Sequence, residues 1–254
     1  MFFIPDKLLG VINIFNHSKI RNTVLKSKAL VTPDLIVHSG IIELDRLTGG
    51  FKAGELTYID GNSPFIYTIP NQLCVNTFRT FNSDTIYIDG GICADPYQIA
   101  TYARSIEVDD REILDHVHIS RAFTVYQLST CIEHMLEKEI QTHDPRTLII
   151  GRFPLLYQDI DGTTKESQTI MQNNLYKLQE LTTDYNLITI LTNTDNRHYN
   201  QTMRTLIQSQ VNETVRMTQI EPCTYVDLLH RKKRTTIHHM ANGQLRLDYF
   251  GLVT

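Results

Sequence analysis

From Ser39 onward the chain alternates short apolar runs with longer amphipathic ones. Strand patterns fall at residues 56–60, 85–89, 116–120, 147–150 and 187–192, all rich in Ile, Leu, Val and Tyr. Helical periodicity falls between and after them, at 70–81, 96–104, 125–139 and 166–185. Continuous apolar strands separated by helices predict an α/β fold: a mostly parallel central sheet, buried on both faces and flanked by helices. After about Glu213 the pattern changes to strands alone, at 224–229, 235–240 and 244–250, which predicts a C-terminal antiparallel meander. Asn242-Gly243 supplies the positive-φ turn before its last strand. The first 37 residues, with Pro5 and Pro33, are expected to form an N-terminal arm holding a short helix around 8–15, and the core to span 38–254.

Composition narrows the functional classes. With 254 residues, 41% of them hydrophobic, the chain can bury a large core. A net charge of −4 argues against a uniformly basic nucleic-acid binder, so any such role needs a local patch. One candidate patch is Arg231-Lys232-Lys233-Arg234. It reads equally as a charged hairpin tip that discourages edge pairing and as a phosphate contact that releases counterions. No run of 18 apolar residues occurs and the N-terminus lacks a signal-peptide pattern, so a soluble cytoplasmic protein is expected. Cys74, Cys93, Cys131 and Cys223 lie too far apart for a CxxC pair and read as buried reduced thiols. His238 and His239 are adjacent and would face opposite sides of a strand, and no metal site is expected.

The most informative stretch is 56–68, LTYIDGNSPFIYT. An apolar strand ends at Gly61 and leads into what looks like a phosphate-binding loop stripped of its phosphate chemistry. Such a loop, G-x-x-x-x-G-K-[ST], needs a second glycine for close backbone approach and a lysine for the β- and γ-phosphates. Ile66 and Tyr67 occupy those two places, and only Thr68 keeps the hydroxyl that would hold Mg²⁺. Pro64 removes one backbone N–H from the cradle. Ile66 and Tyr67 are expected to fill the vacated pocket and leave it dry; an ordinary strand-to-helix turn is the plainer reading.

The segment 39–61, SGIIELDRLTGGFKAGELTYIDG, resembles the opening of the RecA/RadA-type recombinase core. Four further segments follow in that family's order: TIYIDGGICADPYQI at 85–99, HVHISRAFTVYQL at 116–128, TLIIGRFPLLYQD at 147–159 and LITILTNTD at 187–195. The resemblance covers roughly 40–250 and implies a RecA-like core. It also gives the departures their meaning. The family's water-orienting glutamate aligns with Gly91, its adenine-side arginine with Asp95, its Walker B aspartate with Gly151 and its γ-phosphate-sensing glutamine with Thr194. A degenerate ATPase with no catalytic residues and no bound cofactor is therefore expected.

The resemblance further implies single-stranded DNA contacts through two loops. The first, at 157–166, is acidic and suits DNA poorly, whereas the second, from Asp195 to about Asn212, carries Arg197, His198, Tyr199 and Arg204. Cations beside an aromatic suit base stacking along a phosphate-tracking surface. The short N-terminal arm is similar to core-only, RadB-like paralogues. The implied role is a non-catalytic paralogue that binds a catalytic recombinase, another paralogue or single-stranded DNA and regulates filament assembly in homologous recombination and DNA repair. An ATPase completed in trans by a partner subunit, and a RecA-like scaffold or signalling protein without a DNA role, remain the alternatives.

Overall fold

The computed structural model describes residues 35–158, 164–194 and 201–238. The arm helix at 8–15, the last strand at 244–250, its Asn242-Gly243 turn and residues 159–163 of the first loop lie outside them. In chain order the elements are β1 Ile36–Val37, α1 Ile42–Thr48, β2 Phe51–Lys52, β3 Leu56–Gly61, α2 Phe65–Phe81, β4 Thr85–Asp89, α3 Pro96–Ser105, α4 Asp110–Asp115 and β5 Val117–Arg121. Then come α5 Val125–Thr130, a π-helical turn at Cys131–Met135, α6 Leu136–His143, β6 Thr147–Gly151, α7 Thr164–Asp184 and β7 Ile188–Thr194. The chain continues through α8 Gln201–Gln210, β8 Glu213–Ile220, β9 Cys223–Leu228 and β10 Lys233–His238.

Eight strands form one sheet in the order β10-β9-β8-β3-β7-β6-β4-β5. The ladders from β8 to β5 are parallel and the β8-β9-β10 ladders antiparallel, so the mostly parallel sheet and the meander are both present. Alternate residues of each central strand feed two separate cores. Leu56 and Tyr58 of β3, Ile86 and Ile88 of β4, and Leu148 and Ile150 of β6 pack with α5, α6 and α7. Ile59, Tyr87 and Ile149, one residue out of phase, pack with α1, α2 and α3 on the opposite face. The period of two and the apolar character of both phases explain why these strands read as unbroken hydrophobic runs.

The structure differs from the sequence reading at several elements. Helix α2 begins at Phe65, ahead of the expected 70, because Ile66 and Ile69 are buried in the α2-side core and Pro70 is accommodated inside the helix. Helices α1 and α4 are too short to show periodicity. The stretch expected to be a loop up to about Asn212 is helical from Gln201, its buried stripe reduced to Met203 and Ile207. The meander opens one strand earlier than expected, with β8, which pairs in parallel with β3. Ile36 and Val37, placed at the end of the arm, pair with β2 against the core.

Candidate functional site

The carboxyl end of β3 is where a parallel sheet of this kind holds a ligand. Gly61 closes the strand at φ +134°, and a Cβ there would stand 2.0 Å from the Met217 carbonyl oxygen of β8, so only glycine fits. The amides that would face a phosphate are already used. Asn62 N–H donates to Met217 O at 3.1 Å, Ile66 N–H to Ser63 O at 3.2 Å and Tyr67 N–H to Pro64 O at 3.0 Å. Phe65 N–H reaches the Ser63 hydroxyl at 3.4 Å, while that hydroxyl contacts Thr224 Oγ1 at 3.2 Å. Pro64 has no N–H to offer. The loop therefore satisfies itself with backbone bonds that a cradling loop leaves pointing outward.

Ile66 is buried, as expected, and belongs to the α2-side core. Tyr67 differs from the expected plug: its side chain lies at the rim, 37% exposed, with its hydroxyl 3.3 Å from Thr194 Oγ1. The residues at the lysine and γ-phosphate-sensor positions thus bond to each other across the mouth of the site. Thr68 turns its hydroxyl back to Pro64 O at 3.5 Å.

The other replaced positions are closed by packing. A Cβ on Gly91 would meet Arg152 Cδ at 2.4 Å and Cβ at 3.0 Å. A Cβ on Gly151 would meet Cys93 Sγ at 2.6 Å and Tyr87 Cε2 at 3.0 Å. Asp95 is the N-cap of α3, accepting from Tyr97 N and Gln98 N, with Pro96 at the first helical turn. Its carboxylate is thereby committed to the helix.

Two buried carboxylates that the sequence reading passed over organise this edge. Asp89, fully buried at the end of β4, accepts from the N–H groups of Gly91, Cys93 and Ala94, from the Cys93 thiol and from the Arg121 guanidinium. Burial pushes its carboxyl up, but those backbone and thiol donors prevail and hold it below its ordinary range. Burial and the facing Asp89 charge push the Cys93 thiol up to about 12, which leaves it inert. Because the folded carboxyl binds protons less readily than the unfolded one, the stability it contributes is present above about pH 4 and lost as pH falls through the depressed value. Urea midpoints measured from pH 5 to pH 3 should fall more steeply for the wild type than for Asp89→Asn.

Asp60, fully buried one residue before Gly61, receives Arg216 in a two-pronged bond, Nε to Oδ1 at 2.9 Å and Nη2 to Oδ2 at 2.7 Å. Arg204 Nε of α8 stands 3.4 Å from the same Oδ2. This corrects the DNA-facing assignment of Arg204, whose helix turns it inward onto a carboxylate. Arg197, His198 and Tyr199 lie outside the described residues. In the basic run, Arg231 donates to Thr48 O at 2.9 Å and pairs with Glu55 and Glu213, and Arg234 pairs with Asp227 on the neighbouring strand. All four residues of the run are exposed at the tip. Two of the four cations, Arg231 and Arg234, are thus engaged with acids of the same chain.

The Rad51 family model matches residues 33–234. The chain belongs to the Rad51 family. No curated protein sequence matches it closely enough to count as a relative. In this Rad51-family domain the mostly parallel sheet carries a strand-loop-helix at Gly61, and Arg121 at the end of β5 pairs with Asp89. Among the described residues no helix is long and apolar enough to cross a membrane.

Proposed function

We propose that this chain is a non-catalytic, RadB-like Rad51-family paralogue that regulates assembly of a catalytic recombinase filament in homologous recombination and DNA repair. The observation that carries this reading is the self-satisfied loop: the Asn62, Phe65, Ile66 and Tyr67 amides all donate within the chain. Each charged contact to phosphate contributes about 1.5–3 kcal/mol, so losing the lysine and the Mg²⁺ anchor together lowers affinity by several orders of magnitude. Without a carboxylate at Gly91 to orient water, turnover falls further. Such a protein acts by occupancy, binding one assembly state better than another. Ile92 and Phe123, exposed on the connections leaving β4 and β5, and Tyr97, exposed in the first turn of α3, are apolar groups available to a neighbouring recombinase subunit. Single-stranded DNA contact would rest on Lys232 and Lys233 with the segment around Arg197. On this reading the protein works in the cytoplasm, at the nucleoid when bound to DNA.

Titration with a fluorescent ATP analogue and Mg²⁺ should give no saturable binding up to millimolar concentration. A micromolar affinity would favour the ATPase completed in trans. Mixed with the catalytic recombinase on single-stranded DNA, the chain should alter filament length or lifetime without nucleotide of its own; no effect on filaments would favour the scaffold reading.

A further inference from the structure

A second cluster of chemistry-bearing side chains lies at the opposite, amino-terminal end of the sheet. Asp84 immediately precedes β4, His118 lies on β5 beside Ile86, and His143 is the last residue of α6. These residues offer one ligand atom each, all within 4.8 Å of one another. Their nitrogens converge on a single oxygen: His118 Nε2 is 2.7 Å from Asp84 Oδ2, and His143 Nδ1 is 3.7 Å from that same atom. The two imidazoles lie against each other with centroids 3.7 Å apart.

Each end of the cluster is also held by an outer partner. Asp84 Oδ1 lies 2.5 Å from His116 Nδ1, and His143 Nε2 lies 3.4 Å from Glu139 Oε2, one helical turn earlier. A carboxylate that orients a histidine through its far nitrogen, leaving the near one for a metal, is the arrangement that tunes protein metal sites.

We propose that Asp84, His118 and His143 form a binding site for a zinc-class divalent cation, positioned by His116 and Glu139. Two imidazoles and one carboxylate suit Zn²⁺ and its first-row neighbours rather than Mg²⁺ or Ca²⁺, which take oxygen donors. A tetrahedral ion with bonds of about 2.0–2.2 Å separates its ligand atoms by about 3.3 Å, and the two spacings to Asp84 Oδ2 bracket that value. The ion takes the place of the His118–Asp84 hydrogen bond and draws His143 inward. It fastens the carboxyl end of α6 to the two outermost strands of the parallel part of the sheet. A fourth position is left for water or an incoming ligand. The site is remote from the loop at Gly61 and independent of any nucleotide.

The test uses the full-length, untagged chain stripped with chelator and titrated with Zn²⁺ against a chromophoric competitor. One equivalent per chain is expected, with a rise in melting temperature and no equivalent effect of Mg²⁺. His118→Gln and His143→Gln should each abolish that step, Glu139→Gln should weaken it by about 10–100-fold, and the exposed His134→Gln should leave it unchanged. Circular dichroism checks that each variant is folded. Should the histidine variants fail to fold, Co²⁺ added to the wild-type protein decides the matter. Intense visible bands of a four- or five-coordinate ion support the site, and their absence overturns it. Binding well below one equivalent, or binding that survives in folded His118→Gln and His143→Gln, also overturns it and leaves the cluster as a purely internal ion-pair network.

Discussion

Gly151→Asp, which puts a carboxylate back at the Walker B position, is expected to destabilise the protein by about 3 kcal/mol or more and to restore no ATPase activity. The added Cβ alone would stand 2.6 Å from Cys93 Sγ and 3.0 Å from the Tyr87 ring, both buried. Overpacking of this kind costs about 1–3 kcal/mol, and the new charge must be desolvated beside buried Asp89. For a chain of this size, thermal melts should register a drop of about 6–12 °C. Gly91→Glu should destabilise as well, because Arg152 Cβ, 3.0 Å from the added Cβ, is fixed to the backbone and cannot swing aside with the rest of its side chain. The triple change with Tyr67→Lys is expected to hydrolyse no ATP above background in a phosphate-release assay. Measurable turnover would mean that the loop amides can let go of Ser63 and Pro64 to receive a phosphate.

Asp60→Ala carries the second large effect. The carboxylate is fully buried and is the shared acceptor for Arg216 and Arg204. Removing it takes away the carboxylate that two part-buried guanidiniums share, a loss of about 3–5 kcal/mol, or about 6–20 °C in melting temperature. Arg216→Met in the Asp60→Ala background should then cost far less than Arg216→Met alone, because the residues act as one unit. Simple additivity in that double-mutant cycle would show that the pair contributes no coupling. The pair ties β8 to β3 immediately before Gly61, so its loss should also raise the protease sensitivity of the loop at 61–68.

Much of the fold was legible because a parallel strand buried on both faces is unbroken in its hydrophobicity. The strand at Thr85–Asp89 was legible to the residue, and β3, β5, β6 and β7 to within about two residues at either end. Helix α8 was not, since its buried contacts reduce to Met203 and Ile207 amid polar residues. Strand β8 escaped because its partner, β3, lies more than 150 residues earlier, as the Asp60–Arg216 bond spans 156. The basic run looked like a patch because two of the acids that meet it, Glu55 and Glu213, lie well away from it in sequence, and the third, Asp227, faces it only across the β9–β10 ladder. The histidines that converge were equally hidden, at 116, 118 and 143 around Asp84, whereas the adjacent pair His238 and His239 attracted attention by adjacency alone.

By itself the sequence determined which residue types stand at the aligned positions. Where the family resemblance would place a lysine, a glutamate and an aspartate, the chain carries Tyr67, Gly91 and Gly151, and residue type alone decides whether a side chain can bear charge. Only the tertiary structure decided how tightly the glycines of this edge are enclosed. The space beside Gly61, Gly91 and Gly151 is taken by Met217, Arg152, Cys93 and Tyr87, and all four come from parts of the chain distant from the glycine they cover. Close packing is a property of segments brought together by the fold, and no local pattern encodes it.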